Sequence, residues 1–210
     1  MRCTESILTT LKSQIKPCFL RGNTMIITAG KYKGRKLKTV KGNTTRPSAS
    51  ILKESLFSML NENILNATFL DLFAGTGAVG LKAIKKKKKN VTFVEKNNKN
   101  STLIKANIQT IGVEDCCEVV LSSTEAYLKR VSNPFDYVFM DPPYDMATPA
   151  YVKPIFKAII NNNIVNKDTG LIILECSSEL SAESFSIKEI ELCKDKKYSL
   201  SRLSFWKIRA

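Results

Sequence analysis

Apolar residues in this chain come in short runs separated by longer amphipathic stretches. Five runs read as strands: Thr68–Phe73, Val91–Glu95, Cys117–Leu121, Asp136–Met140 and Gly170–Cys176. Nearly continuous apolar character over so few residues suits strands buried on both faces. The stretches between them have helical spacing. Positions 51, 52, 56, 59 and 60 share one face of a predicted helix over Ile51–Leu60, with Ser48 as its cap and Pro47 just before. A loop and helix are expected over Gly75–Lys89, and helices over Ser101–Ile111 (stopped by Gly112), Ser123–Val131 and Tyr151–Asn161. Strands alternating with helices in this rhythm predict a doubly wound α/β sheet. Glu189–Cys193 and Ser201–Ile208 alternate polar and apolar residues and predict an added antiparallel pair.

The beginning of the chain reads differently, and three segments are expected. Residues 1–24 form a basic, acid-poor extension, either disordered or a misassigned start; a more regular pattern begins at Met25. An organellar transit peptide is the alternative. Residues 25–47 predict a small basic β-hairpin turning between Gly30 and Gly34. Residues 48–210 form the main domain. From Gly30 to Pro47 the hairpin carries Lys31, Lys33, Arg35, Lys36, Lys38, Lys41 and Arg46 and no acid, with Tyr32 available to stack. That composition suits a grip on a phosphate backbone. A solvated edge ribbon guarded by lysines is the plainer reading.

Composition narrows the chemistry. A net charge of +14 points to a polyanionic partner such as nucleic acid, although a lysine-rich proteome would also raise it. There is no histidine, which removes histidine bases, triads and most zinc sites. The six cysteines form no Cys-x-x-Cys pair, so reduced thiols and no metal are expected. No apolar run is long enough to span a bilayer.

Two strand ends carry candidate chemistry. The first core strand runs into Asp71-Leu72-Phe73-Ala74-Gly75-Thr76-Gly77, where glycines let the backbone turn sharply and approach a ligand. Gly75-x-Gly77-x-x-Gly80 also satisfies the loose dinucleotide pattern. Glu95 closes the second strand, 18 residues after Gly77, where an acid can accept from vicinal ribose hydroxyls. Together they indicate an adenosine-type cofactor without saying which.

Asp141-Pro142-Pro143-Tyr144, after a later strand, decides for S-adenosylmethionine. An exocyclic base amine is a poor nucleophile because its lone pair is delocalised. The Asp141 carboxylate and the Pro142 carbonyl can hold both amine hydrogens and stabilise the charge that develops on nitrogen. Pro142 and Pro143 stiffen the backbone so the carbonyl is aimed beforehand. Tyr144 offers a face for an unstacked base. Taken alone, the same four residues also make a good turn.

Met25–Leu37, Arg46-Pro47-Ser48, Lys53-Glu54-Ser55-Leu56-Phe57, Asp71–Gly77 and Asp141–Tyr144 together resemble the bacterial small-subunit ribosomal RNA guanine-N2 methyltransferases of the RsmD type. The resemblance covers roughly Met25 to the end of the sequence. It implies a Rossmann-like methyltransferase fold, S-adenosylmethionine as donor, and a guanine of 16S rRNA in an assembling or assembled small subunit as acceptor. It also implies a bacterial cytoplasmic enzyme, and nothing in the chain demands more than a monomer. By position, Asp71, Phe73, Ala74, Gly75 and Gly77 would line the methionine and ribose side of the cofactor, and Glu95 would take the ribose hydroxyls. Ser123 stands where the family usually has Asp or Asn near the adenine amine. The RNA-binding candidates are Lys31, Tyr32, Lys33, Arg35, Lys36 and Arg46. The family's Asp-Arg pair in the first helix is replaced by Ser50-Ile51, and a lysine run, Lys85–Lys89, stands where the family usually turns through a glycine.

Two other readings remain at this stage. A DNA amino-methyltransferase would use the same Asp-Pro-Pro-Tyr chemistry, but the chain has little room for a target-recognition domain. An RNA-binding assembly factor that lost turnover would fit the altered Ser50-Ile51 and Ser123.

Overall fold

The computed structural model of the chain describes residues 24–26, 34, 36–38, 47–60, 64, 66–84 and 91–209. Its main body is a seven-stranded sheet in the order β5-β4-β3-β6-β7-β9-β8. The strands are β3 (Phe69–Asp71), β4 (Val91–Glu95), β5 (Cys117–Leu121), β6 (Tyr137–Met140), β7 (Leu171–Ser177), β8 (Ile190–Lys197) and β9 (Ser201–Ile208). From β5 to β7 the neighbours are parallel; β9 pairs antiparallel with both β7 and β8. Chain order reverses between β3 and β6, since β3 leads outward to β4 on one side and is flanked by β6 on the other. In open parallel sheets such a reversal opens a crevice beyond the carboxyl ends of the strands.

The helices are α1 (Pro47–Leu60), α2 (Ala78–Ala83), α3 (Asn98–Ile111), α4 (Thr124–Leu128) and α5 (Pro149–Asn161). Alternation along the strands sends Phe69, Phe93 and Phe139 to one face, against Leu52, Leu56 and Leu60 of α1 and Ile104, Ile108 and Ile111 of α3. Leu70, Val94, Val138 and Met140 face the other layer, with Phe156 and Ile159 of α5 and the fully buried Trp206 of β9. Every residue of β3, β4 and β6 is buried, which explains why those strands read as continuous apolar runs.

β4 and β5 have the bounds expected from sequence, and α3 ends as expected at Gly112 in the left-handed conformation, φ 68°. Other boundaries shift. α1 starts at Pro47, so Ser48 lies in its first turn and does not cap it. Proline is suited to a first helical residue because its missing N–H would have no partner there. α2 stops at Ala83 as Ile84 turns extended, and the lysine run lies outside the described residues. α4 is shorter than expected, with Ser123 as its N-cap accepting from the Ala126 N–H. The Asp136 carboxylate, expected inside a strand, accepts from the N–H and hydroxyl of Thr68 and ties the start of β6 to β3. The expected tail pair is present, with β9 inside the sheet and β8 on its edge.

Part of the expected hairpin is described. β1 (Thr24–Ile26) pairs antiparallel with β2 (Lys36–Lys38). Leu37 is buried, and the fully buried Asn107 of α3 both donates to and accepts from the Lys38 backbone, at 3.0 and 2.8 Å. One asparagine thus stands in for a neighbouring strand and anchors the ribbon to the main body. Residues 1–23 of the extension, together with Lys31, Tyr32, Lys33, Arg35 and Arg46, lie outside the described residues; for Lys36 only the backbone is described. Among the described residues no helix is long and apolar enough to cross a membrane. Cys117, Cys176 and Cys193 are free thiols, and burial pushes Cys117 up to about 12, which makes it a poor nucleophile.

Candidate active site

The glycine loop lies at the carboxyl end of β3. Gly75 and Gly77 have φ of 54° and 78°, a region that costs a side-chain-bearing residue energy. Gly77 leads into α2, and a Cβ there would meet Ile104 Cγ1 at 3.1 Å. Glu95 closes β4 and is buried. Its two carboxylate oxygens accept the N–H groups of Gly75 and Asn97, each at 2.7 Å, so it clamps the loop to the next strand end. Each oxygen keeps a second lone pair for a further donor.

Asp71 is buried beneath the loop. One of its oxygens accepts the Gly80 N–H at 3.2 Å; the other has no hydrogen-bond partner among the described residues. Burial pushes the carboxyl up to about 7; the Gly80 N–H opposes this, the charge of Asp141 adds to it, and the Phe73 N–H and Lys53 also oppose it. A buried carboxyl with an idle oxygen costs stability unless a donor arrives.

Asp141 follows β6 directly and shares the crevice with the glycine loop. Part of the residue reaches solvent, while burial of its carboxyl raises that group above the ordinary carboxylate range and Lys53 pulls the other way. Pro142 is buried. The Pro143 carbonyl accepts from the N–H groups of Met146 and Ala147, at 2.8 and 2.9 Å, and so belongs to the turn. The Pro142 carbonyl has no partner among the described residues. Tyr144 is 61% exposed, and its hydroxyl donates to the Leu200 carbonyl in the turn between β8 and β9. A polar carbonyl and an exposed ring therefore flank Asp141.

A hollow of about 580 Å³, lined by Thr68, Val91, Glu118, Tyr127, Arg130 and Phe135, opens at the amino ends of β3 and β4. It touches neither the glycine loop nor Asp141.

The family model described as Conserved hypothetical protein 95 matches residues 25–207. The chain belongs to this family, the RsmD type. It is 32% identical over 157 residues to Ribosomal RNA small subunit methyltransferase D of Buchnera aphidicola subsp. Acyrthosiphon pisum, covering 74% of this chain and 80% of that relative. The protein of the same name from Haemophilus influenzae is 37% identical over 127 residues, 59% and 65% of the two lengths. A solved structure from Escherichia coli, described as a methyltransferase, superposes with a TM-score of 0.75 at 26% identity, over 89% of this chain and 99% of that one. The RsmD-type sheet is thus the Rossmann-like sheet of S-adenosylmethionine-dependent methyltransferases.

The RsmD-type crevice fits that cofactor. The idle Asp71 oxygen calls for a donor, the glycines leave backbone open to close approach, and Glu95 has lone pairs to spare. The structure brings together Asp71, Ala74, Gly75, Gly77 and Glu95 around the ends of β3 and β4: the Ala74 N–H donates to the Val94 carbonyl, and that of Gly77 to the Ala74 carbonyl. Phe73, in the same loop, packs on Tyr151 of α5, ring centroids 6.4 Å apart. The Ser123 hydroxyl is engaged twice, its oxygen accepting from the Ala126 N–H as a helix cap and its hydrogen donating to the Glu125 carboxylate.

Two residues were not legible as site members from sequence. Lys53 of α1 acts electrostatically on Asp71, Asp141 and Glu175, and Glu175 of β7 interacts with Asp141. The signal for Glu175 was an acid inside an otherwise apolar strand, Gly170–Cys176.

Proposed function

We propose that this RsmD-type protein transfers a methyl group from S-adenosylmethionine to the exocyclic N2 of a guanine in 16S rRNA, carried in the small ribosomal subunit or its assembly intermediate. The observation that carries this reading is the pairing of Asp141 with the unpartnered Pro142 carbonyl, in the same crevice as the glycine loop. The names of the relatives support the rRNA substrate.

When bound, S-adenosylmethionine supplies a methyl group made electrophilic by its positively charged sulfur. The idle Asp71 oxygen accepts from the cofactor's donors at the methionine end, and Glu95 accepts from the ribose hydroxyls. Gly75 and Gly77 let the loop backbone lie against it. On the acceptor side, Asp141 and the Pro142 carbonyl each accept one hydrogen of the amine. That draws the lone pair out of conjugation and directs it at the methyl carbon. As positive charge grows on nitrogen, the Asp141 carboxylate stabilises it. Tyr144 stacks on the unstacked base. Lys31, Tyr32, Lys33, Arg35, Lys36 and Arg46 grip the RNA backbone.

The test is tritiated methyl transfer to small subunits lacking the modification, with nucleoside analysis of the product. N2-methylguanosine in 16S rRNA is the expected outcome. Label in another nucleoside, or no label while the cofactor binds, overturns the reading; the second result would favour an assembly factor without turnover.

A further inference from the structure

Asp141 lies in a crowd of charged groups that arrive on different elements. β6 and β7 are parallel, with Met140 opposite Leu174. The next residue on each strand is an acid, so Asp141 and Glu175 are neighbours across the sheet. Glu175 is half-buried, accepts a hydrogen bond from the Ser201 hydroxyl of β9, and is opposite Leu203 in the β7–β9 ladder. Asp71 enters from β3, on the other side of β6. α1 packs on β9, and the Tyr198 hydroxyl donates to Ser55 of α1. That contact fixes the helix segment carrying Lys53, whose charge acts on all three carboxyls.

We propose that Lys53 and Glu175 are positioning residues of the amine site: Lys53 keeps Asp141 ionised, and Glu175 holds the proton that the crowded carboxyls must retain. This rests on the methyl-transfer reading above. Like charges packed this closely cannot all ionise, so at neutral pH the cluster keeps at least one proton. Where that proton sits decides whether Asp141 can work. Glu175 is half-buried within the sheet while Asp141 reaches solvent, and burial, then the Asp141 charge, raise the Glu175 carboxyl well above the ordinary carboxylate range. Glu175 therefore carries the proton and Asp141 the charge. Methylation makes N2 cationic. One N–H proton then passes to the Asp141 carboxylate, the N–H bonding pair returns to nitrogen, and a neutral secondary amine remains. A protonated Asp141 could do neither this nor the earlier charge stabilisation.

The test reads side-chain carboxyls directly, by carbon-13 NMR titration of the full chain, alongside pH profiles of kcat/KM on small subunits. In the wild-type protein Asp141 is expected to ionise at lower pH than Glu175. The Lys53→Met variant should shift the Asp141 midpoint and the acid limb of the profile upward together, and Lys53→Arg should restore both. Glu175→Gln should delete the upper titration step. An Asp141 midpoint unmoved in Lys53→Met, a loss of activity uniform across pH, or Glu175 ionising before Asp141 would overturn the assignment. If Lys53→Met does not fold, the order of the two wild-type steps still decides. Wild-type titrations as expected with no N2-methylguanosine formed would sink the guanine reading and leave the charge assignment standing.

Discussion

Replacing Gly80 with alanine adds one methyl group where α2 crosses β4. The Cβ would lie 2.2 Å from Phe93 Cε1, with two more ring carbons inside 3 Å. Ordinary contacts between carbons are near 3.5–4.0 Å, so ring or helix must yield by roughly an ångström. Phe93 is fully buried in the cluster that also holds Leu81 of α2 and Ile104 and Ile108 of α3. Backbone strain plays no part, because Gly80 is an interior residue of α2 without a positive φ. Alanine even favours the helix over glycine by about 1 kcal/mol. Overpacking of a close core contact costs about 1–3 kcal/mol, occasionally more, and this encounter belongs at the upper end. The net expectation is about 2 kcal/mol of destabilisation, or roughly 4–8 °C in Tm for a chain of this size. Displacing α2 also pulls the Gly80 N–H from Asp71, so cofactor affinity should fall in parallel. Calorimetry gives the first quantity and titration with S-adenosylmethionine the second. The Gly80→Ala/Phe93→Leu double variant should recover part of the loss, because the smaller side chain admits the methyl. Wild-type Tm in Gly80→Ala, or additive losses in the double variant, would refute the packing argument.

Other expectations follow from the site. Asp141→Ala should abolish methyl transfer while cofactor affinity stays close to wild type; equal loss of both would give Asp141 a structural role instead. Asp71, Asp141 and Glu175 are all raised above their unfolded values, so the native state binds the extra protons. Their stabilising contribution is full below about pH 4 and is lost as pH rises to about 8. Urea midpoints should accordingly fall across that window. Asp71→Asn, which keeps an acceptor for the Gly80 N–H, should gain up to about 4 kcal/mol at pH 8 and bind cofactor more weakly; an unchanged pH slope would contradict the assignment. Glu95→Ala frees two backbone donors and should weaken cofactor binding, measured by calorimetric titration. Reversing the charges of Lys33 and Arg35 should raise KM for the subunit and flatten its salt dependence, and a kinetic series in salt checks this.

The sheet was legible in sequence because its central strands are buried on both faces. Val91–Glu95 could be read to the residue for that reason, and the loop Asp71–Gly77 because glycine there answers a backbone demand that no other residue meets cheaply; Cys117–Leu121, on the sheet edge and nowhere fully buried, was marked instead by its short apolar run ahead of Ser122-Ser123. The start of α1 was misjudged because Ser48 makes a good cap in isolation, while Pro47 can itself open a helix. Lys53 and Glu175 were missed for a different reason. Each is unremarkable in its own segment, and their meaning depends on the register of β6 with β7 and on α1 lying over β9. Asn107 is similar: a polar residue inside a helical pattern looks like a surface position until the hairpin strand docks on it. Pairwise placement of this kind leaves no periodic trace along the chain.

β9 lies between β7 and the edge strand β8, although β8 precedes it in the chain. During synthesis β8 therefore emerges with no neighbour to join, and β7 waits with one edge open. Trp206 and Phe205, which fill opposite layers of the core, and Ser201, which bonds Glu175, all come from this late strand. The crevice at Asp141 thus cannot take its final form until Ser201–Ile208 has left the exit tunnel. The nascent chain can build the glycine loop early, but it gains a competent amine site only once this strand has docked.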